Sequence, residues 1–115
     1  KLKSADEILL ERINRIIQEK ISDCTFRVET LAEEVGFSRV HLHRKLKELT
    51  RLSASDYMRS IRLKRAAELI RCKKMNISEA AYASGFSNLS HFSAAFKDHF
   101  GVTPREYGNG TEQKK

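Results

Sequence analysis

Apolar residues recur along this chain at intervals of three and four, and nowhere with the strict alternation of a half-buried strand. Leu9, Ile13, Ile16 and Ile17 form one stripe of a predicted first helix over residues 5–20, opened by the capping box Ser4-Ala5-Asp6-Glu7. Val28, Leu31, Ala32 and Val35 predict a short second helix over 28–35, although Arg27 stands where a capping side chain is expected. Leu42, Leu46 and Leu49 make the inner stripe of a third helix, 39–49. Ser53-Ala54-Ser55-Asp56 is a second box and opens the longest helix, 54–73. Its apolar residues lie on two sides, with Tyr57, Met58, Ile61 and Leu69 on one and Leu63, Ala66, Ala67 and Ile70 on the other. A helix apolar on two sides packs from two sides. Asn76-Ile77-Ser78-Glu79 caps a fifth helix through Ser84, and Ser87 opens a sixth, to about His99. Thr103-Pro104-Arg105-Glu106 starts a last helical turn, with proline at the first helical position. The expected fold class is all-α, with about seven helices and a polar tail, 108–115, read as disordered.

The pattern is duplicated. Gly36-Phe37-Ser38 returns as Gly85-Phe86-Ser87, 49 residues later. A glycine free to take positive φ, followed by a serine able to cap, sets two short helices at a steep angle. Val28 matches Ile77 and Leu31-Ala32 matches Ala80-Ala81 at the same offset. After the turn the offset becomes 50, pairing Leu42, Leu46, Lys47 and Tyr57 with Phe92, Phe96, Lys97 and Tyr107. The second copy therefore carries one extra residue where its turn enters the helix. The implied organisation is an N-terminal helix plus a first helix-turn-helix subdomain (1–53), a connector helix (54–73) and a second helix-turn-helix subdomain (74–107).

Charge sharpens this picture. The chain of 115 residues carries a formal +7, yet residues 39–74 hold twelve Lys/Arg against three Asp/Glu, a local +9, and the rest sums to −2. The whole excess lies on the third helix and the one after it, which points to a polyanion partner. On the third helix Val40, His43, Arg44 and Lys47 stand opposite the leucine stripe at i, i+3, i+4 and i+7. That is the chemistry of a helix in a DNA major groove. Arginine makes two hydrogen bonds to guanine, histidine donates to a base acceptor and valine meets a thymine methyl. Arg39 and Lys47 suit phosphates. The equivalent face of the sixth helix, Ser90, Ser93, Ala94 and Lys97, is small and nearly neutral, with Asn88, Leu89 and His91 beside it. The first unit is thus expected to dominate base readout, and Asn88 and Lys97 to meet phosphates. A connector of about nineteen residues spans ~28 Å, against ~34 Å between successive major grooves on one side of the duplex.

Other chemistries find little support. His41 and His43 are two apart on a helix and cannot share a metal. No phosphate-cradling loop follows a strand, and no Ser/His/Asp or Cys/His arrangement proposes catalysis, so neither an enzyme nor a cofactor or metal is expected. His99 reads as a core histidine, and Cys24 and Cys72 as buried small hydrophobes in a reducing compartment. Nothing approaches a membrane span. The alternative function is a helical adaptor whose basic surface meets an acidic protein. RNA binding ranks below it, because the exposed faces carry no aromatic rings for stacking.

Leu31-Ala32-x-x-Val35-Gly36-Phe37-Ser38, Ile61-Arg62-Leu63-Lys64-Arg65-Ala66 and the run from Gly85-Phe86-Ser87 to Phe100-Gly101-Val102-Thr103-Pro104-Arg105-Glu106-Tyr107 closely resemble the DNA-binding domain of AraC-type transcription regulators. The resemblance covers about residues 25–107. It implies two helix-turn-helix units joined by a long helix, with both recognition helices (about 39–49 and 88–99) in adjacent major grooves of double-stranded DNA. Carried over, the base-contacting positions fall on Val40, His43 and Arg44, and on Leu89, Ser90, His91 and Ser93. It also implies transcription activation with contact to RNA polymerase, dimerisation through regions outside this chain, and a cytoplasmic location for this domain. Many members carry arginine where this chain has Ala94 and Gly108, so the contact at Ala94 is missing here. The first helix and the run His41-Leu42-His43-Arg44-Lys45-Leu46-Lys47 look most like the output domain of Bacteroides-type hybrid two-component sensors. That implies a receiver or sensor region upstream in a longer protein, which can be tethered to a membrane.

Overall fold

A computed structural model describes residues 3–72 and 75–110. Seven helices, and no strand among the described residues, follow in the order α1 (Ala5–Glu19), α2 (Val28–Val35), α3 (Arg39–Thr50), α4 (Ala54–Cys72), α5 (Ile77–Ala83), α6 (Leu89–Phe100) and α7 (Pro104–Gly108). The all-α expectation holds. Two compact units form, one from the residues up to Ile21 with Thr25–Arg59, the other from Ser22–Cys24 with the residues from Ser60 onward.

In the first unit α1 packs on α2 and α2 on α3. The Ser4 box closes in both directions: Glu7 N–H donates to Ser4 Oγ at 3.1 Å and Ser4 N–H donates to the Glu7 carboxylate at 2.8 Å. Ile13, Ile17, Leu31, Leu42 and Leu46 are fully buried, joined by Phe26 and Val28. From α4, Ala54 and Met58 complete this core. The Tyr57 hydroxyl donates to Asn14 Oδ1 on α1, and burial raises its pKa. Lys45 on α3 lies 3.0 Å from Asp6 and 3.1 Å from Glu48; hydrogen bonding to Asp6 first, then Glu48, raises its pKa.

The second unit's core joins Leu63, Ala66, Ala67 and Ile70 of α4 to Ala80 and Ala81 of α5 and Phe92 and Phe96 of α6. Small residues on α5 let α6 approach closely enough for two phenylalanines to fill the space. Arg62 is buried here, with 8% of its surface exposed, and donates to Ser84 O at 3.2 Å and to Asp23 O at 3.3 Å. Burial lowers its pKa, an effect opposed by the nearby Asp23 and Cys24. The α7 box also closes both ways, through Glu106 N–H to Thr103 Oγ1 at 3.1 Å and Thr103 N–H to Glu106 at 2.9 Å. The Thr103 backbone N–H, more than its side chain, holds the Glu106 carboxyl below its ordinary range.

The two turns match bond for bond. Gly36 takes φ 78° and Phe37 N–H donates to Ala32 O at 2.9 Å; Gly85 takes φ 91° and Phe86 N–H donates to Ala81 O at 3.0 Å. They then diverge by the one extra residue. Ser38 Oγ accepts from His41 N–H directly after the turn, whereas Asn88, and not the expected Ser87, accepts from His91 N–H. The inserted residue pushes Ser87 out of capping reach and leaves Asn88 at the helix start.

Several expectations need correction. Cys24 and Cys72 are exposed, not buried. His99 is exposed too, its ring meeting the edge of Phe100, because Phe92, Phe96 and Phe100 already occupy the inner stripe of α6. Gly108 belongs to α7, and Asn109 caps it, so the polar tail starts later than residue 108; residues 111–115, like residue 73 of the expected connector, lie outside the described residues.

One buried polar atom lacks a partner among the described residues: Ser84 Oγ, on a residue with no exposed surface. The position 49 residues earlier is Val35. A buried hydroxyl left unpaired costs free energy that a methyl group does not. Ser84→Ala is therefore expected to stabilise the second unit by about 1 kcal/mol, read as a higher urea midpoint at constant m-value. A midpoint at or below that of the parent chain would refute this.

Candidate nucleic-acid interface

Helix α3 sorts its residues into two faces by periodicity alone. Leu42 and Leu46 have no exposed surface, while Val40 is 67% exposed and His43, Arg44 and Lys47 all face solvent. Val40 adds an apolar contact point to a face otherwise made of cations and histidine. The Gly36 turn and the Ser38 cap fix where this face begins. Phe37 stacks on His41, with ring centroids 4.1 Å apart and planes 12° from parallel, which ties the turn to the first turn of α3. Between this face and the start of α4 lies a groove of about 370 Å³, bordered by Val40, His43 and Ser53 to Ser55.

The phosphate-contact candidates divide. Lys47 is exposed in the last turn of α3. Arg39 is also exposed, but its Nε sits 3.0 Å from Glu29 on α2. An exposed pair of this kind is worth little and opens readily. In the second unit Ser90, His91, Ser93 and Lys97 are exposed, and Leu89 is 37% exposed. Asn88 is committed through Oδ1 to the helix cap, which leaves its NH₂ as the donor. Ser93, Ala94, Lys97 and Thr103 border a wider, open groove of about 740 Å³ beside α7.

Thus the candidate base-contacting residues on α3 share one exposed face, whereas on α6 Ser90 and Ser93 share a face that Leu89 and His91 flank on opposite sides. No group of His, Cys, Asp or Glu among the described residues is arranged to hold a metal ion. No helix among them is long and apolar enough to cross a membrane. The sequence missed two features. Arg62 was legible only as part of a motif, and its burial depends on the second unit closing over it. Arg51 was missed although the 50-residue offset pairs it with Gly101, a signal open to inspection.

Two helix-turn-helix units, each ending in a helix with an outward polar face, define a double helix-turn-helix domain. The helix-turn-helix domain family matches residues 31–110, and the chain belongs to this family, the AraC-type DNA-binding transcription regulators. The chain is 36% identical over 108 residues to the protein named histidine kinase P4 of Formosa agariphila, a match covering 94% of this chain and 8% of that protein. It is 34% identical over 84 residues to the HTH-type transcriptional activator RhaS of Escherichia coli strain SE11, covering 73% of this chain and 30% of RhaS. The chain therefore spans well under half the length of either relative. Among solved structures, an AraC-type transcriptional regulator from Chromobacterium violaceum aligns with a TM-score of 0.83 at 28% identity, over 98% of this chain and 100% of that one. The C-terminal domain of AraT, a response regulator from Geobacillus stearothermophilus, aligns with a TM-score of 0.81 at 29% identity, over 97% of this chain and 90% of that one.

Proposed function

We propose that this chain binds double-stranded DNA in a sequence-specific way to regulate transcription, with α3 as the dominant base reader. The observation that carries the reading is the exposed face Val40, His43, Arg44 and Lys47, opposite the fully buried Leu42 and Leu46. Arg44 pairs with guanine, His43 with a neighbouring acceptor and Val40 with a thymine methyl. Arg39, released from Glu29, and Lys47 hold phosphates. On α6 the small residues Ser90 and Ser93, with Leu89 and His91, approach the adjacent major groove closely and read it by shape more than by donors, while Asn88 and Lys97 hold phosphates. Helix α4, nineteen residues long, is the connector between the two readers. The domain works in the cytoplasm as the output part of a longer regulator. A relative named as a histidine kinase and a structural neighbour named as a response regulator support an upstream sensor or receiver region. Activation through RNA polymerase is supported by the relative named an activator. Dimerisation, where it occurs, uses regions beyond this chain.

Selection of sites from a random duplex library at near-physiological salt tests this reading. The expected result is two enriched blocks about one helical turn apart, the block under α3 the better defined. A single block would mean that α6 does not read bases. Absence of enrichment, with binding that disappears as salt rises, would overturn the proposal and favour the basic adaptor for an acidic protein.

A further inference from the structure

The end of α3 adopts a backbone conformation that its sequence does not favour. Arg51 takes φ 70° and ψ 5°, in the left-handed region, and its N–H donates to Lys47 O at 2.9 Å. It is the only non-glycine residue with positive φ among the described residues. Fifty residues on, Gly101 ends α6 in the same way, with φ 83° and its N–H donating to Lys97 O at 2.7 Å. The same turn is therefore built twice, once with the residue that adopts it freely and once with a residue whose Cβ crowds it.

Among the described residues no side-chain contact compensates for that strain. The Arg51 side chain is exposed, and no hydrogen bond, ion pair or ring contact engages it among the described residues. Glu48, the acidic group in the preceding turn, is held by Lys45. A cation at a helix C-terminus does meet the negative end of the helix dipole, but Lys47 already supplies one in that last turn.

We infer that Arg51 holds a DNA backbone phosphate at the C-terminal end of the first recognition helix, and that arginine occupies this left-handed position for that contact. The inference rests on the proposed reading of α3. Recognition helices read bases mainly from their N-terminal residues, and their C-terminal ends lie near the strand backbone. Arg51 is exposed and lies directly after Thr50, at the C-terminal end of the helix that carries Val40, His43, Arg44 and Lys47. The planar guanidinium matches a phosphate with two parallel hydrogen bonds. The second unit, with Gly101 at the equivalent place, lacks the contact, in keeping with its nearly neutral face.

The test compares the parent chain with Arg51→Gly, Arg51→Lys and Arg44→Ala, on a duplex selected by the parent chain and on a scrambled duplex, across a salt series. For Arg51→Gly the expected result is equal loss of affinity on both duplexes. The slope of log affinity against log salt should be shallower by about 0.9. Its base preference should be unchanged and its thermal unfolding midpoint at or above that of the parent. Arg51→Lys should retain the parent slope. A parent-like slope in Arg51→Gly overturns the inference, as does a loss confined to the selected duplex, which would make Arg51 a base reader. A lowered unfolding midpoint with an unchanged slope also overturns it, by assigning Arg51 a structural role. If the parent chain prefers no duplex and Arg44→Ala changes nothing, the reading of α3 fails and takes this inference with it. If those controls behave and only Arg51→Gly is silent, the inference alone fails.

Discussion

Phe96→Ala is expected to lower the stability of the second unit by about 3–5 kcal/mol. Phe96 has no exposed surface, and its ring centroid lies 5.6 Å from Phe92, 4.5 Å from Phe100 and 5.4 Å from Tyr107. Truncation removes the transfer free energy of the ring and leaves a cavity walled by three other aromatic groups that cannot all collapse into it. Domains of this size are stable by only about 5–15 kcal/mol, so the unit carrying α6 should be largely unfolded under mild denaturant. Tyr107 is held independently by Arg71, whose guanidinium donates to the Tyr107 hydroxyl oxygen at 2.7 Å and lies 5.0 Å from its ring centroid. Chemical denaturation followed by circular dichroism measures the effect. A loss below about 1 kcal/mol, the size of a surface substitution, would mean that Phe96 does not anchor the core described above.

Arg44→Ala carries the second large effect, on binding and not on folding. The side chain is exposed, so its removal should leave the unfolding midpoint within the range of surface substitutions. On the selected site the expected loss is about 1–3 kcal/mol, with relaxed preference at one base pair. At 1.4 kcal/mol per tenfold this is roughly a 5- to 150-fold weaker complex. Lys47→Ala should instead weaken all duplexes alike and reduce the salt slope by about one. Competition binding against single-base variants of the site separates the two. A preference unchanged in Arg44→Ala would remove Arg44 from the base-reading set, and a preference changed in Lys47→Ala would place Lys47 in it.

Much of this is legible in the sequence alone, and the reasons are local. The boxes Ser4/Glu7 and Thr103/Glu106 close in the structure as the spacing predicts, because a capping bond spans only three residues. The inner stripe of α3 follows from its 3.6-residue period, so the outward positions of Val40, His43, Arg44 and Lys47 follow as well. Where several side chains compete for one cap or one core, local pattern loses its grip. Ser87 and Asn88 are both good caps, and only the length of the turn after Gly85 selects Asn88. His99 lies close to the phenylalanine stripe in sequence, yet the core is already filled by larger rings and the imidazole stays in water.

By itself the sequence determined the seven helices, the duplicated turn, and the concentration of positive charge on α3 and α4. Each depends on residues within a few positions of one another, on hydrogen-bond reach, on helical period or on simple summation. Tertiary structure alone decided the burial of Arg62 between Ser84 and Asp23, the unpaired hydroxyl of Ser84 and the exposure of both cysteines. It also revealed the left-handed backbone at Arg51. Burial and pairing depend on which segments distant in the chain close over a residue, whereas the Arg51 turn is a local helix end whose only sequence sign is its pairing with Gly101.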